Sequence, residues 1–215
     1  MKKEKKTVIV GIAGGSGSGK TTFANRLAGV IGRDRVSLIH HDSYYRDRSG
    51  ITPVERAKIN YDHPAALETE LLIRHLDLLR DSAEVEIPVY NFTTHCRESR
   101  TESVLPRPLI LVEGILVLSD PLLASYFDLK IFIDLDRDLL LARRIGRDVS
   151  ERGRTVEAAL RQYTETTRPM LHEYVLPSRK NADFVVSGEK FLDDASFQVL
   201  GQGLKSLLEM ENTRP

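Results

Sequence analysis

Five short apolar runs punctuate the chain, at 7–13, 36–40, 109–112, 129–134 and 183–186, each bounded by turn-forming or polar residues. Apolar residues follow one another within these runs without alternation, the pattern of strands covered on both faces. Between them the period becomes helical, over 21–30, 67–79, 139–150, 156–174 and 192–210. Strands alternating with helices predict an α/β fold of three layers, α/β/α, with a parallel core sheet and right-handed connections. Two extended pieces, 85–90 and 102–104, break the rhythm and predict an inserted β-hairpin ahead of the third core strand. Such an insert would overhang the carboxyl ends of the strands, the edge where open α/β sheets bind ligands.

The first run leads into Gly14, Gly15, Ser16, Gly17, Ser18, Gly19, Lys20 and Thr21, which fit the phosphate-loop pattern G-x-x-x-x-G-K-[ST]. Glycines let the backbone wrap closely around phosphates, and the following helix presents its positive dipole end to them. Lys20 is placed for the β and γ phosphates and Thr21 for Mg²⁺, with Thr22 continuing the helix start. The chain is thus expected to handle a nucleoside triphosphate with Mg²⁺ as a P-loop NTPase.

Bulk properties narrow the classes. At 215 residues the chain should bury about 70 % of its unfolded surface, enough for one P-loop domain over 1–215. Its hairpin insert lies at about 85–106 and an arginine-rich lid at about 137–162. Charges balance at 31 basic and 31 acidic residues, so no field of nucleic-acid scale exists and no nucleic-acid partner is expected. Cys96 is the single cysteine, which excludes an internal disulfide and suits a reducing, cytoplasmic setting. The opening Met1-Lys2-Lys3-Glu4-Lys5-Lys6 imitates a signal n-region, but the apolar stretch behind it is short and ends in the glycine loop. A frayed tail with no export signal and no membrane span is expected there, and a disordered tail at 209–215.

Several groups could carry chemistry. Asp42 follows the strand ending at His40, where a carboxylate suits either a general base for an attacking hydroxyl or a Mg²⁺ ligand through water, or simply caps a turn. Glu113 closes the strongest apolar strand, where P-loop proteins place a second acidic group near Mg²⁺. His40 and His41 read as packing or surface residues, since no third metal ligand has suitable spacing. Six arginines, Arg137, Arg143, Arg144, Arg147, Arg152 and Arg154, crowd one stretch; they suit a flap closing over a phosphoryl group, or a solvated helix paired internally through Arg144 and Asp148. Asp62, and the insert's Tyr90, Phe92 and His95, suit either recognition of a flat heterocycle or a helix cap and a small local core.

Taken in order, the segments GIAGGSGSGKTT, HDSYY, NYDHP, VYNFTTHCR, LVEGIL, RRIGRDVSERGR and the pair Gln162-Tyr163 resemble the uridine kinase (uridine-cytidine kinase) family over about residues 7 to 186. The resemblance implies transfer of the ATP γ-phosphoryl group to the 5′-hydroxyl of uridine or cytidine. It implies Asp42 as base beside Mg²⁺, Thr21 and Glu113 completing the metal surroundings, and Asp62 on the ribose hydroxyls. Tyr90, Phe92 and His95 would surround the pyrimidine, and Arg144, Arg147, Arg152, Arg154 and Gln162 the phosphates or nucleoside. It also implies a homo-oligomer, a tetramer. The chain departs from the family pattern at Asn91 (usually aspartate), His41 (commonly glutamine), Leu67 (aromatic) and 187–191 (a proline- and glycine-containing stretch near the adenine). Rival readings are a P-loop kinase for pantothenate or phosphoribulose, and a nucleotide-dependent switch or sensing module; no N-K-x-D guanine reader occurs.

Overall fold

The computed structural model describes residues 7–189 and 195–213. The expected N-terminal tail at 1–6 lies outside the described residues, as do 190–194 and 214–215. Seven strands are present among them: β1 (Val8–Gly14), β2 (Val36–His40), β3 (Val85–Asn91), β4 (Cys96–Val104), β5 (Leu109–Glu113), β6 (Leu129–Asp134) and β7 (Phe184–Ser187). Five form one parallel sheet in the order β2-β5-β1-β6-β7, and β3 pairs with β4 in a separate antiparallel hairpin.

The unbroken apolar runs resolve into two cores because side chains alternate across a strand. Ile9, Ala13, Ile110, Val112 and Phe132 face one way, and Val8, Val10, Ile12, Leu111, Ile131 and Ile133 the other. On the second face lie α1 (Lys20–Ile31), through Phe23, Ala24 and Leu27, and the C-terminal helix, through Phe197, Leu204 and Leu208. Three further helices complete the order before the lid: α2 (Pro53–Arg56), α3 (Thr69–Arg80) and α4 (Pro121–Ser125). Of these α3 covers the first face with Leu72, Ile73, Leu76 and Leu79, a 3.6-period stripe. The α/β/α architecture expected from the sequence is therefore present.

The arginine-rich segment read above as a lid, and called so below, begins with α5 (Arg137–Ser150), followed by α6 (Val156–Gln162) capped by the Thr155 hydroxyl. The helix does not stop at 174 as its periodicity suggests. It continues through π turns at Tyr163–Thr167 and Leu171–Val175, alternating with α7 (Arg168–Met170) and α8 (Leu176–Ser178). Each wide turn precedes a proline, Pro169 or Pro177, whose missing N–H and ring an ordinary turn cannot accommodate.

The last helix, α9 (Ala195–Thr213), runs through most of the tail expected to be disordered at 209–215. The start expected for it at 192 lies outside the described residues. Helix α3 begins two residues later than its pattern suggests, because Leu67 is held in an isolated bridge to Tyr45.

Arg97 fixes the hairpin over the carboxyl end of β2. Its guanidinium donates to the Tyr45 and Tyr44 carbonyls at 2.9 and 3.3 Å and pairs with Glu68 at 2.8 Å. At the tip, Asn91 Oδ1 accepts from the Thr93 and Thr94 amides, an Asx turn that an aspartate would make equally well.

Candidate active site

β1 is the central strand, and its carboxyl end turns into the glycine loop. Gly14 has φ +147°, and a Cβ there would sit 2.4 Å from the Ile133 carbonyl oxygen. Gly17 also has positive φ, and a Cβ would press on the Leu140 carbonyl at 2.8 Å, so the lid helix packs directly on the loop. Gly19 begins α1 in the left-handed region, with no side chain capping the helix and no acid in its first turn. The uncapped amides keep their affinity for an anion. Ser18 is fully buried and its Oγ finds no hydrogen-bond partner among the described residues. Lys20 is buried with Nζ donating to the Gly15 carbonyl at 3.0 Å; burial lowers its pKa, against the pull of Glu113 and Asp42. These features fit a polyphosphate.

Next to the loop stand two carboxylates. Glu113 ends β5 and is the cross-strand partner of both Ile12 and His40. Its Oε1 accepts the Thr21 hydroxyl at 2.9 Å and contacts His40 Nδ1 at 2.7 Å. Burial pushes the Glu113 pKa up, but His40, Lys20 and Thr21 outweigh it and hold the carboxyl below its ordinary value. Asp42 lies two residues past β2, and burial, then Glu113, raise its pKa. The Thr21 hydroxyl with these two carboxylates is a hard oxygen donor set. Among the described residues no three His, Cys, Asp or Glu gather to hold a metal alone. The oxygen donors of Thr21, Glu113 and Asp42 suit Mg²⁺, which keeps waters and substrate phosphates and takes only one or two carboxylates.

The hairpin closes the other side of a cleft beside the glycine loop. Asp42, Asp62, Tyr90, Phe92, His95, Arg144, Arg147, Arg152, Arg154, Gln162 and Ser16 all line it. His95, at φ 55°, stacks on Tyr61 with centroids 4.3 Å apart and planes at 14°. Its pKa is pushed down to about 4 by burial and then by Arg154 and Arg152, which leaves a neutral imidazole. Tyr45 packs on Tyr90 at 4.9 Å, and Arg152 lies over the Phe92 ring at 4.4 Å. Asp62 is buried between the Thr167 hydroxyl at 2.8 Å and Arg144 at 3.6 Å.

Four of the six arginines, Arg144, Arg147, Arg152 and Arg154, face the cleft, while Arg137 and Arg143 are exposed on α5. Arg147 donates to Ser16 Oγ at 3.1 Å, tying the lid to the glycine loop. Gln162 Oε1 accepts from Arg144 at 3.3 Å and from Arg154. Arg143, one helical turn before Arg147, points elsewhere and donates to the Gly188 carbonyl at 3.1 Å.

Of the candidate site residues named from the sequence, Gly14 to Thr21 form the loop and start of α1, Thr22 is exposed just behind, Glu113 stands at the end of β5 against Thr21, and the others line the cleft, whereas Arg137 and Arg143 of the arginine cluster lie outside it. Sequence reasoning missed Tyr45, Tyr61 and Thr167, and it saw Asp148 only as a partner of Arg144 and His40 without its carboxylate partner. His40 is a partly exposed residue at the end of β2, as expected, but the strand register also sets it against Glu113. His41 is buried packing as expected, its Nε2 3.3 Å from the Thr69 hydroxyl. The two tyrosines sat inside the quoted motifs HDSYY and NYDHP, a signal that could have found them. Thr167 gave none, since it depends on the π turn.

The sequence matches the family described as "Phosphoribulokinase / Uridine kinase family" over residues 9–190. It is 46% identical over 181 residues to the uridine kinase of Chloroflexus aurantiacus, covering 84% of this chain and 87% of that protein. It is 45% identical over 184 residues to the uridine kinase of Ligilactobacillus salivarius, covering 86% of each. In fold it is similar to a putative fructose transport system kinase from Silicibacter, with TM-score 0.70, 20% identity and coverage of 86% and 92%. Phosphoribulokinase from Rhodobacter spheroides gives TM-score 0.64 at 17% identity, covering 85% of this chain and 70% of that one.

Proposed function

Since the chain belongs to the phosphoribulokinase/uridine kinase family, we propose that it is an ATP-dependent pyrimidine nucleoside kinase, forming UMP from uridine and CMP from cytidine. The observation that carries this reading is the joining of the glycine loop to a cleft lined by Tyr90, Phe92 and a neutral His95. A flat heterocycle with polar edges suits that lining, whereas an acyclic sugar phosphate or pantothenate gives the rings nothing to stack on.

The residues divide the work. Gly14 to Thr22 and Lys20 hold the triphosphate, and Asp62 with Arg144 holds the ribose diol. Asp42 faces the acceptor and takes the 5′-hydroxyl proton as oxygen bonds to the γ-phosphorus and the bond to the β-phosphate oxygen breaks, releasing ADP. Arg147, Arg152 and Arg154 neutralise charge on the transferring group and exclude water. Thr21, Glu113 and Asp42 would hold Mg²⁺, directly or through its waters; when bound, the ion supplies charge neutralisation on the phosphates. A general base contributes about 10²–10⁴-fold, or about 3–5 kcal/mol, while fixing the reactants in line supplies about 7–11 kcal/mol, so positioning dominates.

No helix among the described residues is long and apolar enough to cross a membrane. A cytoplasmic homo-oligomer, a tetramer as in the family, completes the reading. A coupled assay offering uridine, cytidine, adenosine and ribulose 5-phosphate with ATP and Mg²⁺ tests it. ADP formation with the two pyrimidine nucleosides alone is expected; turnover with the sugar phosphate, or ATP consumption independent of any acceptor, contradicts it.

A further inference from the structure

Asp148 lies near the end of α5 and is fully buried, yet four guanidinium groups converge on it. Arg147 and Arg152 reach Oδ1 at 3.1 and 3.3 Å, and Arg154 and Arg144 reach Oδ2 at 3.1 and 3.7 Å. The Asp148 carbonyl also accepts the Arg154 amide at 3.1 Å, closing the loop that carries Gly153.

Each arginine has a second contact in a different part of the cleft. Arg147 touches Ser16 of the glycine loop, Arg144 touches Asp62, Arg152 covers Phe92 and Arg154 meets Gln162. Four like charges this close repel one another, and in a poorly solvated cleft that repulsion is weakly screened. One carboxylate gathers them without neutralising them, so the cluster keeps a positive excess facing the phosphate loop. Burial raises the Asp148 pKa, but the arginines outweigh it and keep the group ionised.

We propose that Asp148 is the positioning residue of the lid, the one carboxylate that contacts all four arginines and aims them at the transferring phosphoryl group. It does not border the cleft and so touches neither substrate. The proposal rests on the kinase reading above. Asp148→Asn keeps the shape but turns one carboxylate oxygen into a donor against guanidinium donors, and Asp148→Gly leaves a hole of carboxylate size.

The test uses the full chain and two readouts. In the absence of substrates, trypsin should cut after Arg152 and Arg154 at least about tenfold faster in Asp148→Asn than in wild type, because losing one partner of a buried pair favours local opening. In steady state kcat should fall about 10²-fold with KM for ATP changed less than about threefold, since the glycine loop holds ATP without the lid. In Asp148→Gly, formate should restore at least about tenfold of the lost kcat and chloride at equal ionic strength should not. A kcat within about threefold of wild type overturns the proposal, as does a loss that formate leaves untouched while trypsin sensitivity and circular dichroism stay native. A wild-type protein that phosphorylates no nucleoside overturns the kinase reading instead, and the trypsin comparison still decides what Asp148 orders.

Discussion

Thr167 Oγ1 donates a hydrogen bond of 2.8 Å to Asp62 Oδ2, joining residues 105 positions apart inside the protein. The π turn carries Thr167 to that point, so the proline-induced irregularity of the helix has a consequence in the cleft. Thr167→Val should leave Asp62 with Arg144 alone and raise KM for uridine about tenfold, with kcat within about twofold, as expected for loss of a charge-assisted bond. Thr167→Ser should restore KM. Steady-state kinetics of the three proteins check this.

Asp42→Asn should lower kcat by at least about 10² with KM for uridine little changed, because the amide keeps the shape and loses the proton acceptor. Burial and Glu113 raise the Asp42 pKa, so the acid limb of kcat/KM in wild type should lie above the ordinary carboxylate range. That limb should vanish in the variant. A pH-rate profile of both proteins is the measurement.

His95→Ala should remove a ring that stacks on Tyr61 and leave a polar edge of the pyrimidine unpaired. Affinity for uridine should fall by roughly 1–3 kcal/mol, with ATP binding unaltered. Calorimetric titration of each ligand separates the two; unchanged uridine affinity removes the hairpin tip from base recognition.

His41 supplies a pH dependence of stability. Burial pushes its pKa down to about 4, whereas an unfolded imidazole titrates near 6.5. The unfolded state therefore binds the proton first. The stabilisation from a neutral His41 is complete above about pH 6.5 and lost as pH falls toward about 4, up to ~2 kcal/mol of it by pH 5. Urea unfolding at pH 7 and pH 5 should show His41→Gln losing less than wild type. Some slope should persist, because His95 is depressed in the same direction.

The sheet, its helices and the glycine loop were legible because they are written locally: unbroken apolar runs, a helical period and a loop pattern each occupy fewer than twenty residues. Asp42 and Glu113 could be placed because strand ends define the ligand edge. What could not be read depends on register and on helix irregularity. His40 meets Glu113 only because β2 and β5 pair at that offset, and Thr167 meets Asp62 only through a π turn. Asp148 was visible as an i, i+4 partner of Arg144, but the return of Arg152 and Arg154 onto it follows from the turn at Gly153, whose φ is 64°. The tail expected to be disordered is helical to Thr213 because Leu204 and Leu208 bury against the second core, and the helix carries the chain onward.

The central claim is that the hairpin and lid present a nucleoside hydroxyl to the phosphorus held by the glycine loop. A crystal structure with uridine and a non-hydrolysable ATP analogue measures it directly. The ribose 5′-oxygen should lie about 3–3.5 Å from the γ-phosphorus, in line with the bond that breaks and within hydrogen-bond reach of Asp42. Uridine bound away from Tyr90 and His95, or with its 5′-oxygen turned from Asp42, would contradict it.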